Sequence, residues 1–237
     1  MTEPARPQTT VFIADDHPMV REGLRAMLSC EDIEVVGEAD TGRDAVERVR
    51  ELRPDVVLMD MRMPDMDGLT ATEIIHKEHP ETAILIVTIY DSTDYIQRAL
   101  LAGASGYVLK GIPRSSIIDA IRLIRNGESL INRDMLRALL NDISTGDTSS
   151  QLTVRKLTPR ERRVLELLAR GLSNKEIAQE MRYSVGTIKN LVTRVFDKLG
   201  VPDRTQAAIL AAKAGLVSDG PEVALEEQSL TARSEVG

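Results

Sequence analysis

Through residue 110, short apolar runs alternate with longer amphipathic stretches. Apolar or period-2 segments give strands and period-3.6 segments give helices. Five runs read as strands: Val11–Ala14, Ile33–Gly37, Val56–Met59, Ala83–Val87 and Gly106–Leu109. Each is followed by a helical pattern, beginning near Pro18, Gly42, Thr70, Ser92 and Arg114. This alternation predicts a parallel sheet covered by helices, and because parallel crossovers are right-handed the sheet is doubly wound. A further helix is expected over Arg133–Asp142, followed by the small polar residues Ser144–Ser150, which read as a flexible linker.

Beyond the linker come four helix starts, each marked by a capping residue. Thr158 is followed by Pro159 and Glu161, Ser173 by Glu176, and Asp203 by Gln206; Ser184 with Thr187 is looser. Four short helices in this space predict a small all-α domain. The stretch Asp219–Gly237 is acidic and aperiodic and is expected to be disordered, as is a frayed tail over Met1–Thr10.

Charge sharpens this division. Residues 1–150 hold 16 Lys and Arg against 26 Asp and Glu, whereas residues 151–218 hold 13 against 6 and the remaining tail 1 against 5. An acidic first unit joined to a basic second one predicts that only the second meets a polyanion. No apolar run approaches the ~20 residues needed to span a bilayer, and the N-terminus has no apolar core segment of a signal peptide. A cytoplasmic protein with no membrane partner is therefore expected. The single cysteine, Cys30, lies near the end of an apolar-periodic helix and reads as a small buried hydrophobe.

The candidate chemistry lies at strand ends. Asp15 and Asp16 close the first strand, Asp60 the third and Lys110 the fifth, while Thr88 follows the fourth. The carboxyl edge of an open α/β sheet is where ligands bind, and the switch point lies between the first and third strands. Crowded carboxylates raise one another's pKa unless a cation intervenes, which predicts a hard divalent ion, Mg²⁺, with Lys110 as a further positive partner. A carboxylate left free of that ion can attack a phosphoryl group. One aspartate at a strand end is more often a cap or turn residue, but convergence of three with a hydroxyl and a lysine favours a site. His17, His76 and His79 share no metal-ligand spacing.

Asp15-Asp16-His17, the run Asp60-Met-Arg-Met-Pro-Asp-Met-Asp-Gly68, Thr88, Tyr107 and Lys110 resemble two-component receiver domains over residues 10–128. The resemblance implies a flavodoxin-like five-stranded sheet. It implies Asp60 as phosphoacceptor, and Asp16, Asp60 and the Arg62 carbonyl as direct Mg²⁺ ligands with Asp15 acting through water. Thr88 and Lys110 would bind the phosphoryl oxygens, and Tyr107 would turn inward as Thr88 moves. Read without the resemblance, Tyr107 is an ordinary half-buried aromatic with a wet tip.

In the basic unit, Ser173–Met181 and Ser184–Leu199 are helical patterns around a short turn, as in a helix-turn-helix. In the second, Ile188, Val192, Val195 and Leu199 form an apolar stripe, leaving Lys189, Asn190 and Thr193 on the other side for base edges. Such faces are commonplace solvated surfaces, so the motif rests on more. Leu157-Thr-Pro-Arg-Glu-Arg162, Gly171 to Ala178, Thr187-Ile-Lys-Asn190, Lys198-Leu-Gly-Val201 and Arg204 resemble the LuxR-type output domain over 153–218. A receiver so joined is similar to the NarL/FixJ class of response regulators, with 129–152 as helix and linker and 219–237 as tail. By that resemblance Lys189, Asn190 and Thr193 meet bases and Thr187 and Arg194 phosphates. Leu191 stands where the family commonly has histidine, and Ile188 where it has valine, which puts the phosphate contacts beside the recognition helix in question.

The class implies a sensor histidine kinase, double-stranded DNA and RNA polymerase as partners, and a homodimer once phosphorylated. The alanines Ala207, Ala208, Ala211 and Ala214 either permit close helix approach in that dimer or pack within their own domain. A dehalogenase-type phosphatase would need an aspartate where Arg62 stands and a cap over the site, so a metabolic enzyme is not expected. A receiver working unphosphorylated would have a degraded pocket, and this one is complete.

Overall fold

The computed structural model describes residues 8–216 apart from 31, 90–91, 126–127, 129, 132–134, 137–138 and 141–146. The strands are β1 (Thr9–Ala14), β2 (Ile33–Ala39), β3 (Val56–Asp60), β4 (Ala83–Thr88) and β5 (Gly106–Leu109), all parallel in the order β2-β1-β3-β4-β5. The helices between and after them are α1 (Pro18–Leu28), α2 (Gly42–Leu52), α3 (Gly68–Glu78), α4 (Thr93–Leu101) and α5 (Arg114–Arg125). The alternation of β-strand side chains sorts the core into two faces. Phe12, Ala14, Val57, Met59, Ile84 and Ile86 pack with Val46, Ile75 and Leu100 of α2, α3 and α4. Val11, Ile13, Val56, Leu58, Leu85 and Val87 face Leu24 and Leu28 of α1 and Ile117 and Ile121 of α5.

Several element ends differ from the sequence expectation, each for a local reason. Thr9 and Thr10 belong to β1 rather than to a frayed tail, because the Asp55 carboxylate accepts both the backbone N–H and the hydroxyl of Thr10 at 2.9 Å. Helix α3 starts at Gly68, ahead of Thr70: Asp67 caps it by accepting from the Thr70 N–H at 2.7 Å. Gly68 itself has no room for a side chain, since a Cβ there would lie 1.8 Å from the Asp60 carbonyl oxygen.

The expected linker is partly helical. Asp147 accepts from the N–H groups of Ser149 and Ser150 and starts α6 (Thr148–Val154), so the carboxylate supplies the orphan donors of a first turn that composition alone reads as loop. Residues 141–146 and the tail beyond 216 lie outside the described residues; of Arg133–Asp142, Met135, Leu136, Leu139 and Leu140 are helical.

The remaining helices are α7 (Pro159–Ala169), α8 (Asn174–Met181), α9 (Val185–Leu199) and α10 (Arg204–Lys213). Thr158 and Ser173 form full capping boxes with Glu161 and Glu176. Asp203 does not: it caps α10 through the Thr205 and Gln206 N–H groups, but the Gln206 side chain turns away. It donates from Nε2 to the carbonyls of Leu100 at 3.2 Å and Ala104 at 2.6 Å, across the boundary between the two units. Burial pushes the Asp203 carboxyl above its ordinary pKa. Helix α10 is therefore enclosed on every side, with Ala207, Ala208 and Ala211 fully buried inside the chain.

Candidate functional site: an acidic sheet edge and a helix-turn-helix

The carboxyl ends of β1, β3 and β4 and the residue after β5 converge as doubly wound topology requires. Asp15 is buried at 1% exposure, and Asp60 and Thr88 are buried too. Lys110 places its ammonium 2.7 Å from Asp15 Oδ2 and 3.0 Å from Asp60 Oδ1, so one cation is shared between two carboxylates. The second Asp60 oxygen accepts from the Arg62 N–H at 3.3 Å. Burial raises the Asp60 pKa above the ordinary carboxylate value, against the pull of Lys110. Burial lowers that of Lys110, but its bonds to the two aspartates outweigh this and hold it above the usual value.

Asp15 is fixed from several directions. Its N–H donates to the Ala39 carbonyl at 3.1 Å, and its Oδ1 accepts from the His17 N–H at 2.9 Å. The Asp16 side chain is 31% exposed, with His17 Nδ1 2.6 Å from its Oδ1. That oxygen is enclosed yet accepts no hydrogen bond of good geometry. Donor atoms of Asp15, Asp16 and His17 lie within 4.8 Å of one another, while Asp60 is turned towards Lys110 and Arg62. An oxygen-rich donor set with an unsatisfied enclosed oxygen fits a hard divalent cation.

Two neighbours were given no role in the sequence. His17, part of the Asp15-Asp16-His17 run, stands over both carboxylates. Arg21, on the first turn of α1, donates from Nη1 to the Asp15 carbonyl at 2.6 Å. Adjacency to the aspartate pair was a signal for the first; nothing in the pattern marked the second.

In the basic unit, Ile188, Val192, Val195 and Leu199 are buried as the stripe requires, joined by Phe196. Arg182 takes a left-handed conformation at φ 57°, which turns the chain between α8 and α9. Thr187, Lys189, Asn190, Thr193 and Arg194 are all exposed on α9. The Thr187 hydroxyl is 2.8 Å from Ser184 Oγ in the cap, and the Thr193 hydroxyl donates to the Lys189 carbonyl at 3.1 Å. Lys189 also lines a cleft of about 470 Å³ whose walls include Glu128 and Leu136 from the first unit's C-terminal side and Lys175 and Arg204 from the second. Tyr107, half-buried on β5, packs against the apolar cluster that runs from α4 into α10.

Comparison with known proteins agrees with this geometry. Residues 11–122 match the response regulator receiver domain and residues 155–211 match bacterial regulatory proteins of the luxR family. The response regulator protein VraR of Staphylococcus saprophyticus is 40% identical over 208 residues, covering 87% of this chain and 98% of the relative. The chain is a response regulator. VraR of Staphylococcus aureus is 39% identical over the same coverage. Among solved structures, a LuxR-family two-component response regulator from an Aurantimonas species is 32% identical with a TM-score of 0.51, covering 57% of this chain and 97% of that one. The RcsB response regulator of Salmonella typhimurium is 28% identical with a TM-score of 0.51, covering 82% and 94%. This response regulator is thus a two-component, DNA-binding transcription regulator built from a receiver and a LuxR-type helix-turn-helix domain. Among the described residues no helix is long and apolar enough to cross a membrane.

Proposed function

We propose that this response regulator takes a phosphoryl group from a sensor histidine kinase onto Asp60 and thereby gains the ability to bind its operator as a dimer in the cytoplasm. The observation that carries the reading is the Lys110 ammonium held between Asp15 and Asp60. It leaves a buried carboxylate oriented at the sheet edge with a cation beside it. In the transfer an Asp60 oxygen forms the new bond to phosphorus as the bond to the donor breaks. Lys110 and the Thr88 hydroxyl then bind the phosphoryl oxygens, and slow attack by water returns the carboxylate. Asp16, Asp60 and the Arg62 carbonyl would hold Mg²⁺, with Asp15 acting through water. When bound, that ion neutralises the crowded oxygens and binds a phosphoryl oxygen.

The two functional units are the receiver at 10–128 and the DNA-binding domain at 153–218, joined through 129–152 and followed by the tail 219–237. Lys189, Asn190 and Thr193 read bases, Thr187 and Arg194 hold phosphates, and RNA polymerase is a further partner. The cleft around Lys189 and the enclosure of α10 favour a regulated state in which the receiver covers the DNA-binding unit. Phosphoryl bonds at Thr88, transmitted through Tyr107, would loosen that cover. Incubation with a small phosphodonor and Mg²⁺ tests the chemistry. One phosphoryl group is expected on the wild type and none on Asp60→Asn, and label that persists in Asp60→Asn would move the acceptor elsewhere.

A further inference from the structure

Asp15 lies just beyond β1, where its carbonyl has left the sheet ladder. A buried carbonyl needs a donor, and Arg21 supplies it: Nη1 approaches the Asp15 oxygen to 2.6 Å. The guanidinium is itself largely enclosed, at 17% exposure, and its Nε lies 3.5 Å from Glu38 near the end of β2. Arg25 pairs with the other oxygen of Glu38, so the carboxylate is anchored by two helix α1 cations. Arg21 therefore ties the loop after β1 to the neighbouring strand without touching any carboxylate of the acidic pocket.

We infer that Arg21 is a positioning residue for the acidic pocket, which fixes the peptide plane between Asp15 and Asp16 and so the direction in which the Asp16 carboxylate faces a divalent cation. The inference rests on the reading of that pocket as a Mg²⁺ and phosphoryl site. The peptide group is planar, so holding the Asp15 carbonyl also fixes the Asp16 N–H and the Asp16 Cα. Asp15 is already held through its N–H and its Oδ1. The Arg21 bond closes the remaining rotation, ahead of an Asp16 side chain whose Oδ1 has His17 Nδ1 at 2.6 Å but accepts no hydrogen bond of good geometry. A guanidinium suits the task because its planar fork reaches a carbonyl and a carboxylate at once. Its charge is matched by Glu38, so it orients the loop without competing with a cation at the aspartates.

The test is Mg²⁺ binding by titration calorimetry on the full chain, alongside thermal unfolding and phosphodonor labelling. If the wild type neither binds Mg²⁺ nor takes label, the pocket reading falls and not this one. Given a competent wild type, Arg21→Gln should weaken Mg²⁺ about tenfold, the scale of losing a partner that orients a metal ligand. Arg21→Lys, which keeps a donor for the Asp15 carbonyl but loses the fork to Glu38, should recover part of the loss. A residue that merely stabilised the fold would lower the unfolding midpoint and leave the Mg²⁺ affinity of the folded protein unchanged. That result in Arg21→Gln, or a folded Arg21→Lys no better than Arg21→Gln, overturns the inference. Should Arg21→Gln not fold, Glu38→Gln decides. It frees the far end of the guanidinium, so Mg²⁺ affinity should fall measurably, and an unchanged affinity overturns the inference.

Discussion

Gln206 donates its side-chain amide to the Ala104 carbonyl at 2.6 Å, and that bond joins the first turn of a DNA-binding-domain helix to the loop between α4 and β5 of the receiver. The same amide reaches Leu100, and the apolar cluster continues beneath. Replacing Gln206 by alanine removes donors from two buried carbonyls, and each such loss costs roughly 1–3 kcal/mol. The cost falls on the docked arrangement alone. Gln206→Ala should therefore raise the DNA affinity of the unphosphorylated protein at least about tenfold, measured by fluorescence anisotropy on duplex DNA. Unchanged affinity would mean that the contact does not restrain DNA binding.

Glu161 gives a pH dependence with a definite sign. It is buried at 4% exposure, and the Lys198 ammonium at 2.7 Å together with the Thr158 N–H hold its pKa at about 2, below the ordinary 4.5. The folded state thus favours the ionised form. The stabilisation is fully present above about pH 4.5 and fades as the pH falls towards about 2. Glu161→Gln should lower stability at neutral pH by about 1.5–3 kcal/mol, the range for hydrogen bonds to charged groups. Its unfolding midpoint should also vary less between pH 5 and pH 3 than that of the wild type. Parallel wild-type and variant curves over this range would show that the pair contributes nothing.

The receiver pocket was legible in sequence because its residues sit at the carboxyl ends of parallel strands, which topology alone brings together. Asp15, Asp60 and Lys110 needed no side-chain detail to be placed. The stripe of α9 was equally readable, since Ile188, Val192, Val195 and Leu199 fall on one face. Arg21 was not, because an arginine on an amphipathic helix looks solvated until its guanidinium is seen folding onto a carbonyl. Helix α10 was hidden for the opposite reason. Its alanines and its buried polar residues Thr205 and Gln206 occur all around the axis, so no stripe announces two partners. The Asp203 and Gln206 spacing imitates a capping box, while the glutamine serves the receiver instead.

The charge on α9 yields a prediction for the DNA-binding unit. Thr187, Lys189, Asn190, Thr193 and Arg194 share its exposed side, and Lys and Arg bound to phosphate release counterions. Affinity of the phosphorylated protein for duplex DNA should fall steeply as salt rises. Asn190→Ala should relax base preference at one position, a good bidentate contact being worth roughly 1–3 kcal/mol. Equal losses on all duplexes would demote Asn190 to a backbone contact.

Dimerisation is expected on phosphorylation. One recognition helix reads few base pairs, and helix-turn-helix proteins place two of them on half-sites about one DNA turn apart. Yet α10, whose alanines suit close helix packing, lies against α4 and α7 within its own chain, with Ala207, Ala208 and Ala211 buried there. Its α7-facing side packs within its own domain, so the side towards α4 and Ala104 is the one that release of Gln206 by the receiver would free. A phosphoryl group adds roughly −1.5 to −2 charge at Asp60, on the strand adjoining β4, whose C-terminal Thr88 leads into α4. A monomer is expected before phosphodonor treatment and a dimer after it, by light scattering, and Gln206→Ala should shift part of the unphosphorylated population to dimer. Phosphorylation without any change of mass, or a Gln206→Ala protein that binds DNA more tightly while remaining monomeric on it, would separate release of the DNA-binding unit from dimerisation and place the dimer contact away from α10.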